Sequence, residues 1–424
     1  MYQRGDWTTS KIGEYCLIGD GAHAKIARQQ SGVMYLTSKN FKPEGLDLSK
    51  VEFISTEDFD RHFRKGSKAV TKPEPSDVLV SIIGSLGEPY VVRPSDRFGL
   101  SSSVAIIRPQ RHALVPKYLY YWMKGRTFQS AVYGTKGGVA QSYLSLEMIR
   151  SLPLRFPSLS AQRSIVEILS SYDDLIENNT RRTKILEEIA QMIYGEWFVS
   201  FRFPGHEKVR IEVSELGPSP NGWPIVRFTD LSEILSGGTP RTSVKEFWNG
   251  DIPFFGPTDS PKEFFVIQTE KSITPLGLSR CNSELYPAEA VFITARGTVG
   301  KVSMPAVAMA MNQSCYALRG KTGINQLFLF MLARHCSEQL QKKAHGAVFD
   351  TITVETFQKL NVLRPPESVI EQFESLVRPY FSLMLNLQKA NSNLRATRDL
   401  LLPRLISGEI GVEHLEAEAA SQVS

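Results

Sequence analysis

Cysteine is scarce in this chain. The four present, Cys16, Cys281, Cys315 and Cys336, form no close pair and no metal spacing. A disulfide framework and a cysteine zinc site are therefore excluded, and lone buried thiols in a reducing cytoplasm are expected. Long apolar runs are also missing. LFLFMLA at 327–333 is among the longest, falls well short of a membrane span and reads as a buried helix. The opening MYQRGDWTTSKIGEY carries no apolar segment of the kind a secretory signal needs. The seven histidines form no HxxxH pair, so no metal site is expected. Charge is nearly balanced: a formal +5 over 424 residues permits an anionic partner without demanding one.

Signatures of catalysis are equally sparse. GTVGKV at 297–302 faintly echoes a phosphate loop, but it lacks the first glycine at the required spacing, and Val302 replaces the magnesium-holding Ser/Thr. No Asn/Asp-Pro-Pro-aromatic segment of an adenine methyltransferase is present, and no acidic cluster followed by Lys marks a nuclease. The residues predict a chain that is not itself an enzyme.

What the sequence does contain is a repeat. DVLVSIIGSLGEPYVV (77–92) and AVFITARGTVGKVSMP (290–305) both run from an apolar strand through Gly-x-x-Gly, Gly84–Gly87 and Gly297–Gly300, into a second strand. LSSSVAIIRP (100–109) then matches MNQSCYALRG (311–320). GVAQSYLSLEMIRSLPLRFPSLSAQRSI (138–165) aligns without a gap to GAVFDTITVETFQKLNVLRPPESVIEQF (346–373), an offset of 208 residues. Each copy ends in a long periodic helix.

The first of these, IVEILSSYDDLIENNTRRTKILEEIAQMI (165–193), has no Pro or Gly. Ile165, Ile168, Tyr172, Leu175, Leu186, Ile189 and Ile193 trace a heptad seam, with Asn179 and Arg182 in its two polar slots. The 208-residue offset carries this seam onto Phe373, Leu376, Tyr380, Leu383, Leu394 and Leu401, with Leu387 opposite the Asn179 slot in the alignment. Polar slots of one copy are largely apolar in the other, which predicts two helices tuned to each other rather than to themselves. Asn179 and Arg182 are then expected to face Leu, Ala or Thr of the other helix, or to project toward docked subunits. Asp173-Asp174 reads as a solvated face. Ser368 with Glu371 predicts a capping box for the second helix. Gly195 is expected to end the first, Pro403 to bend the second and Gly408 to stop it.

This order of pieces resembles the specificity subunit of type I restriction-modification systems. The matching pieces are LSLEMIRSLPLRFPSLSAQRSIVEIL, EWFVSFRFPGHE, VETFQKLNVLRPPESVIEQFESLV and LLPRLISGEI. Leu154-Arg155-Phe156-Pro157 departs from the double proline kept by the second copy as Pro365-Pro366, which affects how the first helix is entered. The resemblance implies an α+β fold: two similar mixed α/β target recognition domains separated by two long antiparallel helices, a coiled coil with a pseudo-twofold internal repeat. Its implied divisions are recognition domain 1 at 1–158, a central helix at 159–200, recognition domain 2 at 201–366, a C-terminal helix at 367–412 and a tail at 413–424.

It further implies a non-catalytic, cytoplasmic prokaryotic protein that binds double-stranded DNA with a bipartite target. Two methyltransferase subunits and restriction/translocase subunits would be its partners, and S-adenosylmethionine, ATP and magnesium would belong to them. A stand-alone bipartite-site regulator and a protein-protein tether are the alternatives.

Side chains that reach base edges or phosphates pick out loops. In the first copy these supply His23, Lys25, Arg28, Lys39, Asn40, Ser85, Lys136, Gln141, Ser142 and Tyr143. In the second they supply Thr239, Arg241, Lys245, Asp259, Lys262, Arg296, Thr298, Lys343, His345 and Asp350. The Gly84 and Gly297 turns themselves read as tight strand connections needed for folding.

Overall fold

The computed structural model describes residues 7–43, 45–64, 70–134, 143–343 and 351–412. The chain divides into two units. One holds the described residues up to Asp174 together with those from Arg395 onward; the other runs Leu175–Leu394.

The first unit is built on a four-stranded antiparallel sheet in the order Cys16–Asp20, Val104–Pro109, Val78–Ser81, Pro89–Val91. Val78–Ser81 is buried along its whole length, consistent with its uninterrupted run of Val and Leu. A second sheet places Val33–Leu36 between Glu52–Ile54, antiparallel, and Phe98–Leu100, parallel. Helices Pro116–Lys124 and Arg126–Gly134 cover the first sheet and bury Tyr118, Tyr121, Trp122 and Phe128.

The second unit repeats this plan. Its main sheet runs Ser232–Ser236, Cys315–Gly320, Val291–Thr294, Val302–Pro305, with Phe265–Val266 added in parallel at the end. Trp248–Phe255 pairs antiparallel with Lys271–Ile273 and parallel with Ala310–Met311, the same arrangement as its counterpart. Helix Gln326–Lys343 covers the sheet, and the LFLFMLA run lies on it, buried from Leu327 to Ala333. No described helix is long and apolar enough to cross a membrane. A two-stranded hairpin, Ile211–Ser214 with Gly217–Pro220, has no counterpart among the described residues of the first unit.

The two long helices are Leu159–Tyr194 and Glu367–Ile406. Ser158 starts the first, its hydroxyl accepting from the Ala161 N–H and its carbonyl from Gln162. The aligned position in the second copy is Pro366, whose carbonyl accepts from Val369 and Ile370. The helix therefore begins before Ser368, and the expected Ser368–Glu371 box does not cap it. The first α-helix does end at Tyr194, beside the expected Gly195, but a π-helical turn, Gly195–Val199, follows, and the chain leaves it through Phe201 at φ 58°. The second helix runs through Pro403 to Ile406. There Gly408, at φ 73°, closes it with an N–H bond to the Leu405 carbonyl.

Within each unit the helices pair antiparallel. In the first, Ile165 and Leu169 share a core with Leu402 and Leu405. In the second, Ala190 and Tyr194 share a core with Phe373 and Val377, while Ile176 meets Asn391. The seam is one residue out of step with the sequence reading over much of its length. Ile165, Phe373 and Leu387 are buried as expected, and Ile168, Tyr172, Leu186, Ile189, Ile193, Tyr380, Leu394 and Leu401 are half-buried. Leu175, Leu376 and Leu383 are exposed, and Leu169, Ile176, Val377, Met384 and Leu402 are buried instead. The cause is that these helices pack against the globular part of each unit as well as against each other. Burial is then set by two contacts rather than by one narrow seam.

Candidate nucleic-acid interface

In each unit, four short loops are tied together at one end of the main sheet. Most of the ties recur in both units, although the residues differ. In the first unit Ser101 to Val104 forms a turn: Val104 N–H reaches the Ser101 carbonyl at 3.1 Å, and Ser103 N–H the Ser101 hydroxyl at 3.3 Å. In the second, Cys315 N–H reaches the Asn312 carbonyl at 3.2 Å, and Ser314 N–H the Asn312 Oδ1 at 2.9 Å. Ser101 donates to Leu36 and Asn312 to Phe255, each at 2.9 Å. Ile82 donates to Ser103 at 2.9 Å as Ala295 does to Ser314 at 2.8 Å. Ala22 donates to Leu100 and Gly238 to Met311. A β-carbon on Gly21 or Gly237 would collide with the carbonyl of Leu100 or Asn312, so these loops approach the turns as bare backbone.

The next loop is a 3-10 turn in both units, Ser38–Asn40 and Pro257–Asp259. Asn40 Oδ1 accepts from Thr37 N–H at 2.9 Å, and Asp259 Oδ2 accepts from Gly256 N–H at 2.8 Å. Asn40 also donates to the carbonyls of Asp47 and Lys50, and the other Asp259 oxygen accepts from Glu270 N–H. The polar atoms of Asn40 and Asp259 are engaged in holding their loops. They are therefore not the exposed base-edge donors and acceptors that the sequence suggested. Their neighbours Lys39 and Thr258 are exposed.

The Gly-x-x-Gly turns complete the frame. Gly87 N–H bonds the Ser81 carbonyl and Gly300 N–H that of Thr294. A helix grips each turn from behind, through Gln129 to the Gly87 carbonyl in one unit and Ser337 to the Gly300 carbonyl in the other. Thr298 donates to the Pro257 carbonyl at 3.1 Å, joining this turn to the 3-10 loop. Ser85 is exposed on the first turn, as are Arg296 and Thr298 on the second.

The second unit thus brings Thr239, Asp259, Arg296 and Thr298 into one bonded cluster, with Gln313, which the sequence reading missed. Thr239 donates its hydroxyl to Gln313 Oε1. Arg241 is exposed two residues from Thr239, and Lys262 is exposed three residues from Asp259. Lys245 lies on a separate turn, Lys245–Phe247, joined to Thr274 through the carbonyl of Phe247.

In the first unit Tyr143 is exposed and bridges Ile83, next to the Gly84 turn. His23 contacts Asp20 at 2.8 Å, and Lys25 is exposed. Arg28 is engaged internally: it reaches Glu52 at 2.6 Å and the Ile26 carbonyl at 2.7 Å, and lies 3.9 Å over the Tyr35 ring. Lys136, Gln141, Ser142, His345 and Asp350 lie outside the described residues, as does the side chain of Lys343.

Burial silences three of the four cysteines. Desolvation pushes the Cys16, Cys315 and Cys336 thiols up to about 12, far from reactive thiolates. Among the described residues, no group of His, Cys, Asp and Glu is arranged to hold a metal.

The helix pair carries its own polar contacts. Asn391, buried, donates to the Ile176 carbonyl at 3.2 Å and to the Thr180 hydroxyl at 3.1 Å, and accepts from Asn179 at 3.0 Å. Asn179 thus faces an asparagine, not the Leu, Ala or Thr expected, and Arg182 is exposed. Asp173 is not a solvated residue: it accepts from Arg398 and from the Tyr121 hydroxyl, each at 2.6 Å, whereas Asp174 is largely exposed.

Two sheet-and-helix repeats of one plan, each leading into a long helix, define a duplicated modular protein whose variable loops sit on a constant frame. The chain belongs to the family of type I restriction modification DNA specificity domains, whose model matches residues 5–188 and 220–373. It is 26% identical to the type I restriction enzyme MjaIX specificity subunit of Methanocaldococcus jannaschii, over 97% of this chain and 95% of that one. It is 25% identical to the HindI specificity subunit of Haemophilus influenzae, over 82% of this chain and 88% of that one. The fold is shared with the crystal structure of the type I restriction-modification S subunit from M. genitalium, at a TM-score of 0.59 and 14% identity, covering 96% of this chain and 97% of that one.

Proposed function

We propose that each unit reads one half of a bipartite DNA target, and that the paired helices set the gap between the halves and dock methyltransferase subunits. The observation that carries this reading is the duplicated loop frame, which presents different side chains from the same backbone scaffold. Such an arrangement suits two independent readers, because phosphate contacts and frame position a module while the side chains at its tips specify bases. Helices of 36 and 40 residues are roughly 54 and 60 Å long at 1.5 Å per residue. That exceeds the roughly 34–36 Å of one DNA turn. Unlike a flexible linker, a stiff element of this kind fixes a gap.

On this reading the chain supplies no catalytic group. Methyl donor, ATP and magnesium belong to the methyltransferase and restriction/translocase partners, and the complex works in the cytoplasm. Exchanging residues 19–143 for another recognition module tests the division of labour. Methylation mapping with the assembled complex is expected to show one half of the target changed and the other half and the gap retained. A change in both halves would overturn the reading, and so would a wild-type complex without preference for a split site.

A further inference from the structure

We propose that Gln313 is a base-reading residue of the second unit and that Ser102 holds the corresponding post in the first. The proposal rests on the reading of the units as DNA readers and extends it to particular side chains. Superposing the hydrogen bonds of the two frames pairs Ser101, Ser102, Ser103 and Val104 with Asn312, Gln313, Ser314 and Cys315. Within this turn the frame bonds common to both units use backbone atoms or the first residue's side chain; in the first unit the third residue, Ser103, also accepts from Ser38 N–H at 3.0 Å and bonds the Ser101 hydroxyl. The side chain of the second residue takes part in none of them. Its identity is therefore free to change without cost to the fold, and between the two units it changes from Ser to Gln.

Gln313 is exposed within the bonded loop cluster: Thr239 bonds its side chain, and the Arg296 N–H donates to the carbonyl of the next residue, Ser314. Among the described residues its one side-chain bond is from the Thr239 hydroxyl to Oε1. That bond tethers the amide through Oε1 and leaves both Nε2 hydrogens and one Oε1 lone pair without a partner among the described residues. A donor beside an acceptor is the pattern that a glutamine amide presents to the N7 and N6 edge of adenine in the major groove. Holding the amide before binding also lowers the ordering cost of the contact. Thr239 acts here as a positioning residue.

The experiment uses the complete complex with its methyltransferase subunits and a pool of DNA randomised across the target, with methylated molecules sequenced. Gln313→Ala is expected to cut discrimination at one A·T pair, in one half of the target, by about ten- to a hundredfold. The other half and the gap should be retained. Thr239→Val, which keeps Gln313 and removes its tether, is expected to weaken discrimination at that same pair and nowhere else. Unchanged preferences in Gln313→Ala would overturn the proposal. So would a uniform loss of binding over all sequences, because that marks a phosphate contact. A wild-type complex that ignores split sites would instead overturn the underlying reading of the units. A Gln313→Ser complex that assembles but keeps the wild-type preference at every position would overturn the assignment as well.

Discussion

Asn179 donates its side-chain amide to Asn391 Oδ1 at 3.0 Å across the two long helices of the second unit. Asn391 is 3% exposed and bonds three groups of the opposite helix, whereas Asn179 is half-buried. A buried asparagine in a helix pair costs stability compared with an apolar side chain, yet it fixes which residues lie opposite each other. Asn391→Ala is expected to lower the stability of this unit by about 1–3 kcal/mol, because it empties a buried site and strips three bonds. Asn179→Ala, whose side chain has access to water, should cost under about 1 kcal/mol. Denaturant titrations of the two variants check the order.

The corrected seam gives a sharper contrast between two adjacent residues. Ile176 is 8% exposed and Leu175 is 53% exposed. Ile176→Asp places a carboxylate among buried side chains and is expected to cost about 3–5 kcal/mol or to abolish soluble expression. Leu175→Asp should change stability by no more than about 0.5 kcal/mol. The heptad read from sequence alone gives the opposite order, so unfolding midpoints for the pair decide between the two registers.

How the sequence was legible follows from such cases. The duplication, the two long helices and the strand-turn-strand units were plain because they rest on periodicity and on glycines at left-handed positions. The seam slipped by a residue because a strict a/d pattern considers one neighbour, and these helices have two. At the candidate interface, Asn40 and Asp259 attracted attention as good base readers, but the same short polar side chains are also good caps for tight turns. Gln313 escaped notice inside MNQSCYALRG because its flanks are strand-like. The aligned LSSSVAIIRP was the available signal, since it shows a polar position varying between two otherwise matched turns.

Thr183 offers a substitution that should improve the protein. It is buried in the helix pair, and its hydroxyl oxygen has no hydrogen-bond partner among the described residues. Replacing it with the isosteric valine removes a polar group that burial has stripped of water. Thr183→Val is expected to be neutral or to stabilise the second unit by up to about 1 kcal/mol in thermal unfolding, not to weaken it.

Glu187 predicts a pH dependence. Desolvation raises its pKa from 4.5 to about 7, while the Phe264 N–H, bonded to it at 2.7 Å, and the charge of Arg334 act in the opposite direction. Because the folded-state value is the higher one, the folded state retains a proton that the unfolded chain releases between these two pH values. The contribution of Glu187 is therefore most favourable below about 4.5 and declines as pH rises to about 7, by on the order of 3 kcal/mol. Glu187→Gln keeps an acceptor for Phe264 and removes the titration. The difference in stability between Glu187→Gln and the wild type should grow in favour of glutamine from pH 5 to pH 8. A constant difference would show that Glu187 is solvated in the folded chain.

The two Gly-x-x-Gly turns should rank their glycines in the same order. All four have positive φ, so alanine at any of them carries a backbone cost of about 1–2 kcal/mol. The first glycine of each turn has room for a β-carbon, which would make only an ordinary van der Waals contact, at 3.7 Å to Ser38 from Gly84 and at 3.6 Å to Pro257 from Gly297. The second glycine does not. A β-carbon on Gly87 would lie 3.0 Å from Val132 Cγ1, and one on Gly300 would lie 2.5 Å from the Ser337 hydroxyl that grips the turn. Gly300→Ala is therefore expected to cost about 1–3 kcal/mol more than Gly297→Ala. Gly87→Ala should likewise cost more than Gly84→Ala, by a smaller margin, because a methyl contact at 3.0 Å yields more readily. Thermal unfolding of the four single variants checks both orders at once. Equal losses at the first and second glycines would mean that the helices do not clamp these turns.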